Sequence, residues 1–212
     1  MKVGILGSGG VAKTLALGFV QHNHTVMVGS RTPTKLSDWQ KEQPKLLLGN
    51  FAEAAAHGEI IVIAIKGEHS ADALRMAGAN NLAGKTVIDA SNPIADEPPT
   101  NGVLKFFTSM NESLMEQLQK EFPKANFVKA FNSVGSASMV NPNFKAEKPT
   151  MFICGNSDAA KRAVSSILVQ FGWEPADMGK VEAARAIEPL CMLWCIPGFL
   201  HNQWTHAFRL LQ

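Results

Sequence analysis

Gly7-Ser8-Gly9-Gly10-Val11-Ala12 spells G-x-G-x-x-A directly after the apolar run Lys2–Leu6 and directly before a stretch with helical spacing. In that setting the pattern suits a pyrophosphate. Gly7 allows a sharp turn, Gly9 lets phosphate oxygens approach the backbone, and Ala12 lets the helix pack closely with its N-terminus toward the anion. After the second apolar run the chain reads Val28-Gly29-Ser30-Arg31-Thr32, with Lys35 following. A site for the unphosphorylated dinucleotide places a carboxylate here, on the ribose 2′-hydroxyl. The segment has none. A guanidinium, two hydroxyls and an ammonium instead suit a 2′-phosphate, so the expected ligand is NADP(H).

The remaining polar candidates also sit where strands end. Ile65-Lys66-Gly67-Glu68-His69 follows the most continuous β-branched run, and Ala90-Ser91-Asn92-Pro93 and Asn132-Ser133 follow two later ones. Ligands of parallel sheets lie beyond such ends. His69 reads either as a proton donor or as a positional contact. Asn92 and Asn132 read either as partners of a carboxamide or second substrate, or as turn caps. Cys191 and Cys195 are i, i+4 among Met192, Leu193 and Trp194, with no second ligand pair at matching spacing, so they read as buried thiols. His22 and His24 read as exposed turn residues, and His201 and His206 are too far apart to share a helix face. No metal site and no catalytic side chain is expected.

The elements that must position these residues alternate. Apolar runs at 2–6, 25–29, 45–48, 59–65, 85–89, 126–131, 150–154 and 174–178 alternate with helical stretches, including 35–43, 50–57, a long helix from 158 to 171, and helices starting near His69 and Asn111. This predicts an α/β, Rossmann-type doubly wound, mostly parallel sheet. One domain over 1–212 is expected, closed by C-terminal helices over about 181–212 that break at Pro197-Gly198. Their aromatic side chains suit either packing on their own sheet or an interface in a homodimer. The 212 residues are 46% hydrophobic and 18% charged with a net charge of +2, and the dispersed cations argue against nucleic acid. No apolar run reaches the ~20 residues of a membrane span. Three cysteines without a disulfide framework fit a cytoplasmic protein.

The segments GSGGVAKTLA, VMVGSR, DASNP, VKAFN, MFICGNSDAAKRAV and PADMGKVEAARAIEPL together resemble the NADP oxidoreductase, coenzyme F420-dependent family. The chain is similar both to archaeal deazaflavin-dependent NADP reductases and to the cytosolic domain of six-transmembrane metalloreductases. The resemblance implies NADPH contacts at Ser8, Gly9, Gly10 and Val11, with Ser30, Arg31 and Lys35 around the 2′-phosphate. It places Ile65, Lys66, His69 and Ala130 along the nicotinamide half. Where archaeal reductases commonly carry proline after the isoleucine, this chain has Lys66.

The implied reaction is hydride transfer between NADP(H) and a flavin or deazaflavin (F420-like) small-molecule acceptor. Alternatives are reduction of a small imine or carbonyl compound, and an NADPH-binding sensor without turnover. A ring acceptor needs a flat apolar wall. Phe106, Phe107, Met192, Trp194 and Phe199 are available for one. The expected acceptor cleft is lined by Asn92, Pro93, Ile94 and Asn132 and closed by the C-terminal helices, of this chain or of a second subunit. The alternative is that these aromatics fill a core.

Overall fold

The computed structural model describes residues 1–144 and 147–211. Its elements run β1 (Lys2–Leu6), α1 (Gly10–Gln21), β2 (Thr25–Gly29), α2 (Ser37–Glu42), β3 (Leu47–Gly49), α3 (Phe51–His57), β4 (Ile60–Ile63), α4 (Ser70–Ala77), α5 (Ala79–Leu82) and β5 (Thr86–Asp89). They continue with α6 (Leu114–Glu121), β6 (Asn126–Lys129), β7 (Thr150–Ile153), α7 (Asp158–Gln170), β8 (Glu174–Asp177) and α8 (Ala184–His201). Six strands form a fully parallel sheet in the order β3-β2-β1-β4-β5-β6. The parallel pair β7-β8 joins its edge through an antiparallel bridge between Lys129 and Cys154.

The continuous apolar character of β4 follows from covering on both faces. Val62 packs with Leu15 and Phe19 of α1 and Val164 and Leu168 of α7. Ile61 and Ile63 point the other way, toward Ala54 of α3, Leu74 of α4 and Leu118 of α6. Chain order reverses between β1 and β4, which leaves a crevice at their C-terminal ends. α3 starts on a capping box: the Asn50 side chain accepts from the Glu53 amide at 2.9 Å, and the Glu53 carboxylate accepts from the Asn50 amide at 2.7 Å.

Several sequence-based boundaries are corrected. α6 begins at Leu114 rather than Asn111, because Ser113 supplies the capping box with Glu116. β6 ends at Lys129, since Phe131 has a left-handed φ of 63°. His22 and His24 are half-buried, with His22 stacked on Phe171 at 5.1 Å.

The larger correction concerns the C-terminus. One helix, α8, runs through Pro197-Gly198 to His201, and 202–211 form no second helix. Gly198 receives the Trp204 ring, where a Cβ would collide. Asn202 ends the helix at a left-handed φ of 54°. The tail then returns along β7, where the Thr150 amide donates to the Phe208 carbonyl at 2.9 Å. Counted from Val181, this 21-residue segment has a mean hydropathy of 1.3 and is long and apolar enough to cross a membrane by length and composition, where the sequence reading expected none. Gln212, the end of the expected helical segment, lies outside the described residues.

One buried polar cluster ties the sheet to the helices. Lys129 at the end of β6 is fully buried and pairs with Asp89 at 2.7 Å and Glu188 of α8 at 2.8 Å. Its ammonium also donates to the Ser91 carbonyl at 3.0 Å. Asp89 accepts from the Ser91 amide and hydroxyl, and Glu188 accepts from the Leu114 and Met115 amides at the start of α6. Burial opposes the charge on Lys129, but the two carboxylates outweigh it and hold its pKa well above the usual value. Removing one member leaves charges buried without a partner, which costs ~3–5 kcal/mol. Lys129→Met is therefore expected to lose that much in urea denaturation. A loss under ~0.5 kcal/mol, the range of ordinary surface changes, would show that the cluster does not hold these elements.

Candidate functional site

The glycine turn is built for close approach. Gly7 has a φ of 137°, and a Cβ there would collide with the Ala64 carbonyl at the end of β4. Its amide donates to the Gly29 carbonyl at 3.0 Å, which ties the turn to the end of β2. A Cβ added at Gly9 or Gly10 would meet nothing within 4 Å, so both glycines face open space. Gly9 is the N-cap of α1 and no side chain caps that terminus. Its first amides are thus unspent, as an anion site requires.

A cleft of about 560 Å³ opens beside this turn. Gly7, Ser8 and Gly9 form one wall, Ser30 and Arg31 a second, and Phe51 and Met76 lie among its apolar lining. Ser30 is buried and its hydroxyl accepts from the Thr32 amide at 3.2 Å, which shapes the turn that carries Arg31. Thr32 and Lys35 are exposed and lie outside the lining. The carboxylate in this cleft, Asp72, is held by Arg75 at 2.6 Å. Lys66 and His69 complete the rim, and His69 sits 3.5 Å from Glu68.

A second cleft of about 310 Å³ shares Gly9, Ala64, Ile65 and Lys66 with the first. It continues past Gly10 and Val11 to Ala90, Ser91, Asn92, Ile94 and Ala95. Gly67 is required between them, because a Cβ there would strike the Asn92 carbonyl. Lys66 bears the one charge in this lining, and hydrogen bonding to Asp96 raises its pKa.

Of the expected acceptor cleft, Asn92 and Ile94 are in place while Pro93 and Asn132 are buried outside the lining. The two asparagines instead lock together. Asn92 donates to the Asn132 carbonyl at 2.8 Å, and Asn132 donates to Asn92 Oδ1 at 3.1 Å and to the Ile187 carbonyl at 3.0 Å. Asn132 Oδ1 has no donor among the described residues. Ala130 is fully buried, its amide bound to the Asp89 carbonyl.

α8 lines neither cleft. Its Trp194, Cys191 and Cys195 cluster with Leu104 of the segment between β5 and α6, with Phe106 and Met192 packed against them, whereas Phe107 and Phe199 are exposed. The aromatics expected at an acceptor thus divide between a small core and the surface. Hydrogen bonding between the two thiols and burial raise the pKa of Cys191, and the same bond lowers that of Cys195. Sequence reasoning missed Phe51 and Met76, for which only Phe51's place after the Asn50 cap offered a signal. It also missed Asp89, Lys129 and Glu188, although DASNP, VKAFN and AIEPL each contain one of them.

Residues 2–93 match the family model for NADP oxidoreductase, coenzyme F420-dependent. A solved structure of a candidate F420-dependent NADP-reductase from Arthrobacter sp. FB24 superposes with a TM-score of 0.94 at 32% identity, covering 100% of both chains. Metalloreductase STEAP3 of Rattus norvegicus is 35% identical over 204 residues, 94% of this chain. This chain spans only 39% of that relative's length. An imine reductase from Streptomyces aurantiacus shares the fold, with a TM-score of 0.70 at 14% identity over 94% of this chain and 63% of its own.

The open space at Gly9 separates binding from folding. Gly9→Val leaves the core untouched but fills the room a pyrophosphate needs. Its thermal midpoint is expected within a few degrees of wild type, with NADPH binding lost in calorimetry. Normal NADPH affinity in the folded variant would overturn the phosphate assignment.

Proposed function

The chain belongs to the NADP oxidoreductase, coenzyme F420-dependent family, and from that membership we propose that it moves hydride between NADP(H) and a flavin or deazaflavin ring. One observation carries this reading. Two clefts meet at the glycine turn, the first lined also by Ser30 and Arg31, the second mostly apolar and open. The residues fit the cofactor: uncapped amides at the start of α1 for the pyrophosphate, Arg31 and Ser30 for the 2′-phosphate, and Ile65, Val11 and Asn92 along the nicotinamide half. When bound, NADPH supplies a hydride with its electron pair to an acceptor ring that takes its proton from solvent, leaving NADP⁺ and the reduced ring. The protein's share of such a reaction is alignment and exclusion of water.

Reduction of a small imine or carbonyl compound is less well supported, because the developing anion wants a proton donor with a pKa near the working pH. Lys66 is the titratable group in the second cleft, and Asp96 holds its proton more tightly than usual. His69 lines the first cleft and not the second. A sensor without turnover is also less well supported, since the second cleft is open rather than filled by an aromatic side chain. The three free cysteines support action in a reducing compartment such as the cytoplasm. The exposed Leu193, Phe199 and Leu200 on α8 support an assembly such as a homodimer.

Two measurements test the reading. The protein is expected to bind NADPH at least ~10-fold tighter than NADH, since one charge-assisted bond to the 2′-phosphate suffices for that. Arg31→Ala should abolish most of the preference, and equal wild-type affinity for the two nucleotides in calorimetry would refute it. NADPH oxidation is expected with F420, FMN or FAD. Turnover confined to imines or ketones would transfer the assignment to that class.

A further inference from the structure

We propose that Lys66 selects acceptors whose ring carries an anionic tail, such as the phosphate of FMN, over the same ring without one. This rests on the reading of the second cleft as the place where the acceptor meets the nicotinamide. The cleft is otherwise uncharged: Val11, Ala64, Ile65, Ala90, Ile94 and Ala95 offer a ring apolar surface, and Lys66 supplies the charge at the edge shared with the first cleft. A flat ring with a nearby phosphate matches that distribution, whereas a neutral ring leaves the ammonium unused.

The backbone gives no structural reason for lysine at this position. Lys66 has φ −55° and ψ 137°, which is proline's own region, and its amide donates to nothing among the described residues. Proline here would sacrifice no hydrogen bond and would stiffen the chain. The side chain does not pack either, being 68% exposed. It rests on two exposed or half-exposed carboxylates, donating to Asp96 at 3.3 Å and lying 3.6 Å from Glu68. Surface pairs of this kind exchange readily for a better anion. Phosphate is one, presenting several oxygens to three ammonium donors. Asp96 and Glu68 then act as a resting place that keeps the cation charged and at the cleft edge.

FMN and riboflavin share one ring and differ in the terminal phosphate, so their ratio isolates the effect. Wild type is expected to show a kcat/KM for FMN at least ~10-fold that for riboflavin, a preference of the size one charge-assisted contact supports. Lys66→Met and Lys66→Pro are each expected to bring that ratio close to one, and Lys66→Arg to keep it. Any shared effect on folding or on NADPH binding cancels in the ratio. Flavin fluorescence quenching with the NADP⁺-loaded protein gives the same comparison as affinities, without turnover. A ratio that survives in both Lys66→Met and Lys66→Pro, or a wild type that treats the two flavins alike, would overturn the proposal. If neither flavin nor F420 is reduced, yet wild type binds FMN tighter than riboflavin and the Lys66 variants do not, the anion selectivity stands and the ring-reductase reading falls.

Discussion

The ammonium of Lys129 sits in a fully dry position between two carboxylates, and the arrangement of everything around the second cleft depends on it. A buried charge of this kind is tolerable only when every member is bonded. One lysine against two carboxylates leaves an excess negative charge, and the N-terminus of α6 answers it. The Leu114 and Met115 amides donate to Glu188, whose charge lies where the helix dipole is positive. The cluster therefore fixes β5, β6, α6 and α8 in one geometry, because displacing any of them strands a charge. Such clusters contribute little net stability compared with an apolar core. What this one contributes is a single allowed register among elements that hydrophobic packing alone would let slide.

That register is transmitted to the second cleft through short bonds. Lys129 holds the Ser91 carbonyl, and Asp89 holds the Ser91 amide and hydroxyl, so the chain leaves β5 in one conformation. Asn92 follows directly and is clamped at both ends of its amide by Asn132, which in turn reaches the Ile187 carbonyl of α8. The first cleft is organised differently. Its walls come from the turns after β1, β2 and β4 and from α3 and α4, and close glycine contacts at Gly7 set the spacing of the turns. The proposed hydride transfer depends on distance and orientation, and the half of the site proposed for the acceptor is the half fastened by the cluster.

The parts of the fold legible in the sequence are those whose signal is local. The glycine turn, the β-branched run of β4 and the helical stretch after Asn50 each declare themselves within a few residues, and each is found where it was expected. Lys129, Asp89 and Glu188 carry no such signal. Lys129 and Asp89 lie 40 residues apart, and each reads alone as an ordinary charge at an element end. The apolar run 126–131 reads as one strand through Phe131, but β6 ends at Lys129. Only the packing of the Phe131 ring near Phe171, with the Phe131 amide 3.2 Å from the Met151 sulfur, sustains a left-handed backbone there. Pro197 misled in the opposite direction. Proline usually ends a helix, but the carbonyl four residues earlier belongs to exposed Leu193, where solvent can satisfy it. Gly198 leaves the room in which the Trp204 ring packs against the helix.

α8 consequently matters to a site it does not line. Every residue bordering the two clefts lies between Gly7 and Ala95. Yet Asp89, at the base of the second cleft, is neutralised by Lys129 from β6, and Lys129 in turn shares its charge with Glu188 from α8. The nucleotide-facing segment is therefore complete in composition but not in electrostatics. Ile187 and Glu188 are adjacent, so a single turn of α8 supplies both the carboxylate for Lys129 and the carbonyl for Asn132. A change that lifts this turn would unfasten Asn92 and Ser91 together while leaving the glycine turn and Arg31 in place. The two halves of the site are thus separable in stability: the first is held by the turns after β1, β2 and β4 together with α3 and α4, the second by a helix that docks from the far end of the chain.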